Sequence, residues 1–410
     1  MSSIYDVVIV GAGTAGMSTA ERLNDSGLKV LVLEKNKKIG LNENPVKGTF
    51  KSVIEEYKLG KSVVNEYDNT CFYGTESKAK IKTEDKVCLF KTSRLADILG
   101  KRVKCEVRKG CEIVNAKRKK GFVKLLSAEG EKFLSRLVVD ASGRDSVIAQ
   151  SFKTGRCRVY CKCYITELSN CNLDPKEASY FCTPKISNAA AWIEPITEEK
   201  CQLGIANFEP YNIIYKETMR RKAAYMIKKF KPSKKMISES ELDEKKEKCI
   251  AYPVDPIDKM YSDNMISIGD SAGQATPLLG EGIRISLDMS KVCANTIKEA
   301  FQKKDFSAGF LKSYEKRWWE MYGKYSGWGV LLRHYTAKHF KSKDWNIIIG
   351  NLKKLNDKEK EEFLKSEMTY PIFNKLTSFF ITKDMLQNRA KETFPNLNSL
   401  RQRYFVSHFV

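Results

Sequence analysis

The chain of 410 residues contains only 3 histidines, which are His334, His339 and His408. Histidine is the usual general base of a catalytic triad and the commonest metal ligand in proteins. We therefore expect neither a triad nor a metal site in this protein.

The sequence also lacks any run of 18 or more apolar residues, which is the length that a membrane-spanning helix needs. Its first residues follow a strand pattern and lack the basic start, apolar core and cleavage site of a secretory signal. We expect a cytoplasmic protein, either free or peripheral at the inner face of the membrane.

Twelve cysteines are present, but they are scattered and form no disulfide framework, so we expect reduced thiols. Around the tightest cluster, apolar and cysteine side chains alternate with tyrosine and lysine from residue 159 to residue 165. This alternation predicts one buried face of a strand, rather than a metal or redox site, for Val159, Cys161, Cys163 and Ile165.

Positive charge is abundant, with 72 Lys and Arg against 50 Asp and Glu, a formal net charge of +22. Basic clusters lie at residues 117–120, 220–222 and 234–235. Two interpretations stay open: solvated faces, or attraction to an anionic surface. Because the sequence has no zinc-ligand spacing, helix-turn-helix signal or ribonucleoprotein motif, we expect no nucleic acid and favour an anionic membrane.

A dinucleotide-binding fingerprint opens the chain. Residues 5–10 form an apolar strand pattern that leads into Gly11-Ala12-Gly13-Thr14-Ala15-Gly16. A helical pattern follows, and residues 30–34 predict a second strand that ends in Glu34. The glycines permit a tight turn, the close approach of a pyrophosphate and helix packing, while the acid suits a ribose hydroxyl. Lys35 follows the acid directly and is also expected to contact the cofactor.

Only this one glycine motif carries the full fingerprint, so we expect a single tightly held dinucleotide, FAD. Three further segments resemble hydroxylase-type flavoproteins: residues 91–99, 138–146 and 268–283. In that superfamily the arginine of the first segment approaches the flavin, so the resemblance gives this role to Arg94. By the same resemblance, the ribityl chain and flavin ring are held by Gly269, Asp270, Gly280, Glu281, Gly282 and Ile283.

The ending Thr-Pro-Leu-Leu-Gly-Glu-Gly-Ile, at residues 276–283, resembles the form found in the geranylgeranyl reductase family. Residues 190–195 are similar to that family's aromatic-x-Trp-x-Phe-Pro stretch, which gives Trp192 and Pro195 substrate-binding roles. The resemblance covers residues 4 to 300. It implies an FAD-dependent oxidoreductase acting on CH–CH groups, which saturates geranylgeranyl or other polyprenyl chains, including those of archaeal membrane ether lipids.

The chain departs from this family in several places. Ala190 and Glu194 stand at aromatic positions of the cavity motif, and the loop at residues 44–48 lacks the family's cysteine. Lys47 lies in that loop, as a candidate proton donor or phosphate ligand, or simply as a solvated lysine. Ser142 replaces the aspartate that nicotinamide-using hydroxylases usually carry, which weakens a hydroxylase interpretation.

These patterns predict an α/β fold: a Rossmann-type FAD-binding lobe from residues 1–150 and 255–300, a β-sheet substrate lobe from residues 151–254, and a helical region from residues 301–410. The partners expected are an isoprenoid lipid and a reduced electron donor, NAD(P)H or a ferredoxin-like protein. A flavin monooxygenase or halogenase, and a membrane-associated electron-transfer flavoprotein, remain alternatives. An amphipathic helix at residues 371–381 either packs on its own domain or faces lipid.

Overall fold

Two eight-stranded sheets and a run of C-terminal helices form this α/β protein, whose structure is a computed structural model that describes residues 4–40 and 46–377. The strands are β1 Ile4–Val10, β2 Val30–Glu34, β3 Lys47–Phe50, β4 Val63–Tyr73, β5 Lys78–Phe90, β6 Glu106–Lys109, β7 Ile113–Lys119, β8 Phe122–Ser127, β9 Lys132–Asp140, β10 Tyr160–Ser169, β11 Glu177–Phe181, β12 Ala191–Pro195, β13 Lys200–Glu209, β14 Lys248–Pro253, β15 Tyr261–Ser262 and β16 Met265–Ser267. The helices are α1 Thr14–Arg22, α2 Lys51–Glu56, α3 Thr92–Arg102, α4 Val147–Ser151, α5 Lys216–Lys228, α6 Lys231–Ile237, α7 Ile283–Lys303, α8 Ala308–Trp318, α9 Lys324–His339, α10 Ser342–Asn351, α11 Asp357–Leu364 and α12 Tyr370–Thr377.

The first sheet has the strand order β15-β16-β9-β1-β2-β6, and the β7–β8 hairpin joins it through β9. The strands β16, β9, β1, β2 and β6 run parallel. Val7, Val8 and Ile9 of β1 are fully buried because helices cover one face and the hairpin covers the other. The predicted Rossmann-type lobe is confirmed.

The second sheet has the order β14-β10-β13-β12-β11-β4-β5-β3 and is antiparallel except where β11 pairs with β4. Strands β3 to β5 belong to it, although the sequence placed residues 1–150 in the FAD-binding lobe. Their partners lie far along the chain, for example Glu177 opposite Asn69. Such distant pairing is invisible to local patterns, so sheet membership could not be read from the strand signals.

The helical C-terminal region is confirmed, and it begins with α7, which packs on α1 through a hydrogen bond of 2.7 Å between Ser18 Oγ and Ser290 Oγ. Of the amphipathic segment at residues 371–381, α12 buries Ile372, Phe373 and Leu376 completely or nearly so against α9 and α10. The described half of that segment therefore packs on its own domain, while Phe379 and Phe380 lie outside the described residues.

Both faces of β10 are covered. Cys161 and Cys163 are buried as predicted, together with Val159 and Ile165. Tyr164, on the opposite face, is also fully buried, because α5 and α6 pack against that side of the second sheet. Among the described residues, no helix is long and apolar enough to cross a membrane.

Candidate active site

A single continuous cavity of about 1090 Å³ runs between the two sheets. It exceeds the ~300–1,000 Å³ of most small-molecule sites, so it has room for a large ligand or for two ligands side by side. Its lining includes the first glycine turn and the residue that ends β2. It also includes residues of the second sheet, among them Phe72, Cys161, Cys163, Tyr180, Trp192, Glu194 and Tyr252.

The first glycine turn has the geometry of a phosphate cradle. Gly11 has a φ of 107°, and a Cβ there would collide with the carbonyl oxygen of Ala141. A Cβ on Gly16 would collide with the carbonyl oxygen of Gly11. Gly13, in contrast, faces open space and precedes α1 without any side-chain cap. The first N–H groups of α1, near Ala15, are therefore directed at the cavity, where they can hold a pyrophosphate.

Glu34 lies beside this cradle, and only 8% of its surface is exposed. One carboxylate oxygen accepts a hydrogen bond of 2.7 Å from the Ala12 N–H, and the other accepts one of 2.9 Å from the Asn36 N–H. These bonds fix the carboxylate at the cavity wall, at the end of β2. Lys35 also lines the cavity but is exposed.

The second glycine turn follows β16. Gly269 has a φ of 68°, and its neighbour Asp270 lines the cavity. Enclosure by protein raises the pKa of Asp270, while the charges of Lys47 and Arg144 act in the opposite direction. A carboxyl there can accept hydrogen bonds from ligand hydroxyls, the role predicted for Asp270.

The turn before α7 completes this wall. Gly280 has a φ of 71°, and a Cβ there would collide with the Tyr252 hydroxyl. Gly282 precedes Ile283, the first residue of α7, with no side-chain cap, so the positive end of the helix dipole faces the cavity. The Glu281 carboxylate is occupied by protein partners, since it accepts from the Arg284 N–H at 2.9 Å. Its backbone, rather than its charge, is the part offered to a ligand.

Lys47 and Arg94 differ from their predicted settings. Lys47 is the first residue of β3 and pairs with Phe90 in β5; it does not lie in a loop, and it is half-buried at the cavity wall. Arg94 is exposed and does not line the cavity. In the first turns of α3, Thr92 and Ala96 face the cavity instead, because the helix turns the intervening Arg94 outward.

The two residues of the cavity motif lie in different surroundings. Trp192 lines the cavity, whereas Pro195 is buried away from it and its carbonyl accepts hydrogen bonds from Asn65 and Tyr67. The two residues are three positions apart in β12, so the alternation of a strand places them on opposite faces. Gly204 on β13 lies directly beneath the indole of Trp192, where any Cβ would collide with the ring.

Several cavity residues escaped the sequence analysis. Cys161 and Cys163 were predicted as a plain buried face, but their Sγ atoms, 3.7 Å apart, form part of the wall with Tyr252. Glu194 was noted only as a departure from an aromatic position, yet its carboxyl lies in the wall beside Gln202. Glu194 lies two residues after Trp192 in β12, so the alternation of a strand places both side chains on the same face. This spacing was the signal that could have placed Glu194 in the cavity wall.

These features fit bound FAD. The open space over Gly13 and the uncapped start of α1 suit a phosphate. Glu34 suits a ribose hydroxyl, Asp270 suits the ribityl chain, and the uncapped start of α7 suits the ring. Within the described part of the chain, no group of three His, Cys, Asp or Glu residues is placed to hold a metal ion.

Comparison with known proteins agrees with this geometry. A family model described as lycopene cyclase protein matches residues 6–164. Digeranylgeranylglycerophospholipid reductase 2 of Methanopyrus kandleri is 25% identical over 353 residues, which are 78% of this chain and 83% of the relative.

Among solved structures, a geranylgeranyl bacteriochlorophyll reductase-like protein of Thermoplasma acidophilum has a TM-score of 0.79 at 16% identity, with 97% of this chain and 100% of that chain covered. A halogenase in complex with FAD has a TM-score of 0.66 at 11% identity, with 100% and 86% covered. The halogenase shares the fold alone. The relatives, the fold and the cradle together confirm the resemblance to the geranylgeranyl reductase family, and they identify the chain as an FAD-dependent oxidoreductase.

Proposed function

We propose that this protein saturates C=C double bonds of geranylgeranyl or related polyprenyl chains, carried on membrane ether lipids. The observation that carries the proposal is the continuity of the cavity, which leads from the dinucleotide cradle at Gly13 to the wall around Trp192. One compartment can therefore hold the cofactor and an apolar chain in contact with each other. The names of the curated relatives support the same substrate class.

In this proposal bound, reduced FAD supplies the hydride. The N–H groups at the start of α1 would hold the pyrophosphate, Glu34 would accept a hydrogen bond from a ribose hydroxyl, and Asp270 would accept hydrogen bonds from the ribityl hydroxyls. The positive end of α7 would favour the negatively charged reduced state of the ring. An isolated alkene accepts hydride poorly, so orientation of the chain and exclusion of water must contribute to the rate.

The apolar wall performs that orientation. Trp192 offers the largest aromatic surface at the wall, and Phe72 stacks on Tyr180 nearby with ring centroids 5.5 Å apart. Gly204 allows the indole to lie close to the sheet, which leaves the space above it free for a chain. Lys47 contributes its charge beside Asp270, where it can hold a phosphate of the lipid or the cofactor, or transfer a proton.

A membrane contact for this substrate is proposed at the start of α5. Ile213 and Tyr215 are 65% and 73% exposed, although both are large apolar or aromatic side chains. The basic residues Lys216, Arg220, Arg221 and Lys222 follow them in α5, where Lys216 and Arg220 pair with Glu247. Apolar side chains next to positive charge match an anionic bilayer, where lipid substrates reside.

The test is anaerobic. The protein is reduced with dithionite, mixed with a geranylgeranyl ether lipid, and followed by flavin absorbance, while mass spectrometry counts the hydrogens added to the lipid. We expect flavin reoxidation that matches saturation of the chain. Reoxidation only when oxygen is admitted would contradict the reductase and favour a monooxygenase or halogenase. The electron donor is found in parallel, by comparing flavin reduction by NAD(P)H with reduction by a ferredoxin.

A further inference from the structure

Glu194 occupies an unusual place for an acidic residue, since its carboxyl lies in an otherwise largely apolar and aromatic stretch of the cavity wall. Only 6% of the residue is exposed. It shares a strand face with Trp192 in β12, two residues away. Its Oε1 atom lies 3.8 Å from the position that a Cβ on Gly48 would occupy. Thr49, the next residue, donates a hydrogen bond of 3.3 Å to Glu281 in the turn before α7, so the carboxyl lies near the predicted flavin contacts.

Neutral groups hold this carboxyl. The Tyr180 hydroxyl donates to Oε1 at 3.1 Å, and the Gln202 amide donates to Oε2 at 3.0 Å. Within the described residues, Glu194 forms no ion pair with lysine or arginine. Burial of an unpaired carboxylate is costly, so the protonated form is favoured, and burial raises the pKa of Glu194 to about 7.

The groups around Glu194 leave it as the residue that titrates near neutral pH. Tyr180 on β11, Tyr67 on β4 and Cys201 on β13 all have pKa values raised by their surroundings, so they stay protonated. Lys47 on β3 exerts its charge on Asp270 and Cys163, and it is not among the groups that perturb Glu194. A carboxylic acid kept neutral in an apolar site is a suitable proton donor.

We propose that Glu194 is the acid that protonates the second alkene carbon during double-bond reduction, an inference that rests on the function proposed above. One alkene carbon receives the hydride from the reduced flavin as the π bond breaks. The O–H bond of Glu194 breaks, and its proton forms the second new C–H bond. The alkene is thereby reduced and the flavin oxidised, and the Glu194 carboxylate regains its proton from water. Tyr180 and Gln202 are positioning residues for the carboxyl.

The test compares Glu194→Gln, which preserves the size and the neutrality of the protonated acid, with Glu177→Gln as a matched control. Glu177 is a poorly exposed acid on the neighbouring strand, β11, where Lys80 pairs with it at 3.1 Å outside the cavity. Infrared difference spectra of each FAD-loaded protein are recorded against pH. We expect a protonated-carboxyl band that titrates near pH 7 in the wild type and in Glu177→Gln, and that is absent from Glu194→Gln.

Anaerobic reoxidation by the geranylgeranyl ether lipid gives the second readout. In Glu194→Gln we expect normal FAD content and normal reduction by dithionite, with reoxidation slowed at least about 100-fold. The wild-type rate should fall as pH rises through about 7, and Tyr180→Phe should move that fall to higher pH, because it removes a bond that stabilises the carboxylate. Unchanged reoxidation in Glu194→Gln, or a missing titrating band, would overturn the donor role alone. Absence of reoxidation in the wild type would overturn the reductase function together with it.

Discussion

Replacement of Glu194 by glutamine is expected to change how the stability of the protein depends on pH. The ordinary pKa of a glutamate is 4.5, and burial raises that of Glu194 to about 7. The folded state therefore holds the proton more tightly than the unfolded state does. This contribution to stability is fully present below about pH 4.5 and is lost as pH rises through about 7. Glutamine has no proton to lose, so the variant escapes the loss.

The magnitude follows from the interval between the two pKa values. At about 1.4 kcal/mol per pH unit, this interval changes the free energy of unfolding by on the order of 3 kcal/mol. Unfolding entropy scales at about 2.1 cal/mol/K per residue, so for a chain of this length the change is about 3–4 °C in Tm. Between pH 5 and pH 8.5, the Tm of the wild type should fall by this much more than the Tm of Glu194→Gln.

The assay is thermal unfolding of both proteins with saturating FAD at each pH. Glu177→Gln is again the control, because the pKa of Glu177 is shifted in the opposite direction from that of Glu194. Hydrogen bonding and the nearby lysines lower the pKa of Glu177, so its carboxylate stabilises the fold at higher pH. That contribution is complete above about pH 4.5 and is lost only below it, so between pH 5 and pH 8.5 the Tm of Glu177→Gln should lie below that of the wild type by a nearly constant amount. Parallel Tm curves for the wild type and Glu194→Gln would refute the assignment of Glu194 as a buried neutral acid.

Four further results are expected. Gly13→Val should give colourless protein with an unchanged fold, because a Cβ there has no protein atom within 4 Å and the side chain would occupy the pyrophosphate space; the measurement is FAD per chain after purification. Trp192→Phe should keep normal FAD content but change which double bonds are saturated, as measured by mass spectrometry of the product. Lys47→Met should slow saturation of the lipid while leaving dithionite reduction intact, and an unchanged rate would leave Lys47 only a charge at the wall. Ile213→Asp combined with Tyr215→Asp should weaken flotation with anionic vesicles at least about tenfold, and wild-type binding should fall as salt is added.

The vesicle experiment has an internal control. Ile347 is 38% exposed on α10, a helix distinct from the basic α5. Ile347→Asp removes one such side chain and adds one negative charge, which is the same change as Ile213→Asp alone, and these two single variants are compared. Ile347→Asp should leave vesicle binding unchanged, and equal loss in both variants would show that net charge, rather than the surface at Ile213 and Tyr215, governs binding.

The first sheet could be predicted in detail because its signals are local. Residues 30–34 were predicted as a strand and are β2, since an apolar run ending in an acid after a glycine break has few alternatives. The positions of Arg94 and Pro195 could not be obtained by resemblance alone. Each follows from which face of a helix or strand meets the cavity, and that depends on packing between elements distant in sequence.

The second sheet shows even more clearly that local sequence patterns do not reveal contacts between distant elements. Residues 44–48 were expected to form a loop, yet β3 begins at Lys47 because β5 supplies a partner for Lys47–Phe50. Four residues with one glycine carry too little alternation to predict a strand. The acid at position 194 was visible in the sequence, but its value as a site became apparent only when the fold brought Glu194 of β12 close to Gly48 of β3, although three strands separate them in the sheet.

The parallel pairing of β4 with β11 has a consequence for the order in which the protein matures. During synthesis β4 and β5 emerge early and can form a hairpin, but β11 to β13 must follow before the sheet around Trp192 closes. The predicted cofactor contacts are likewise divided between the first glycine turn and the turn before α7. Because contacts so distant in sequence form slowly, we expect cofactor capture to be a late event in folding.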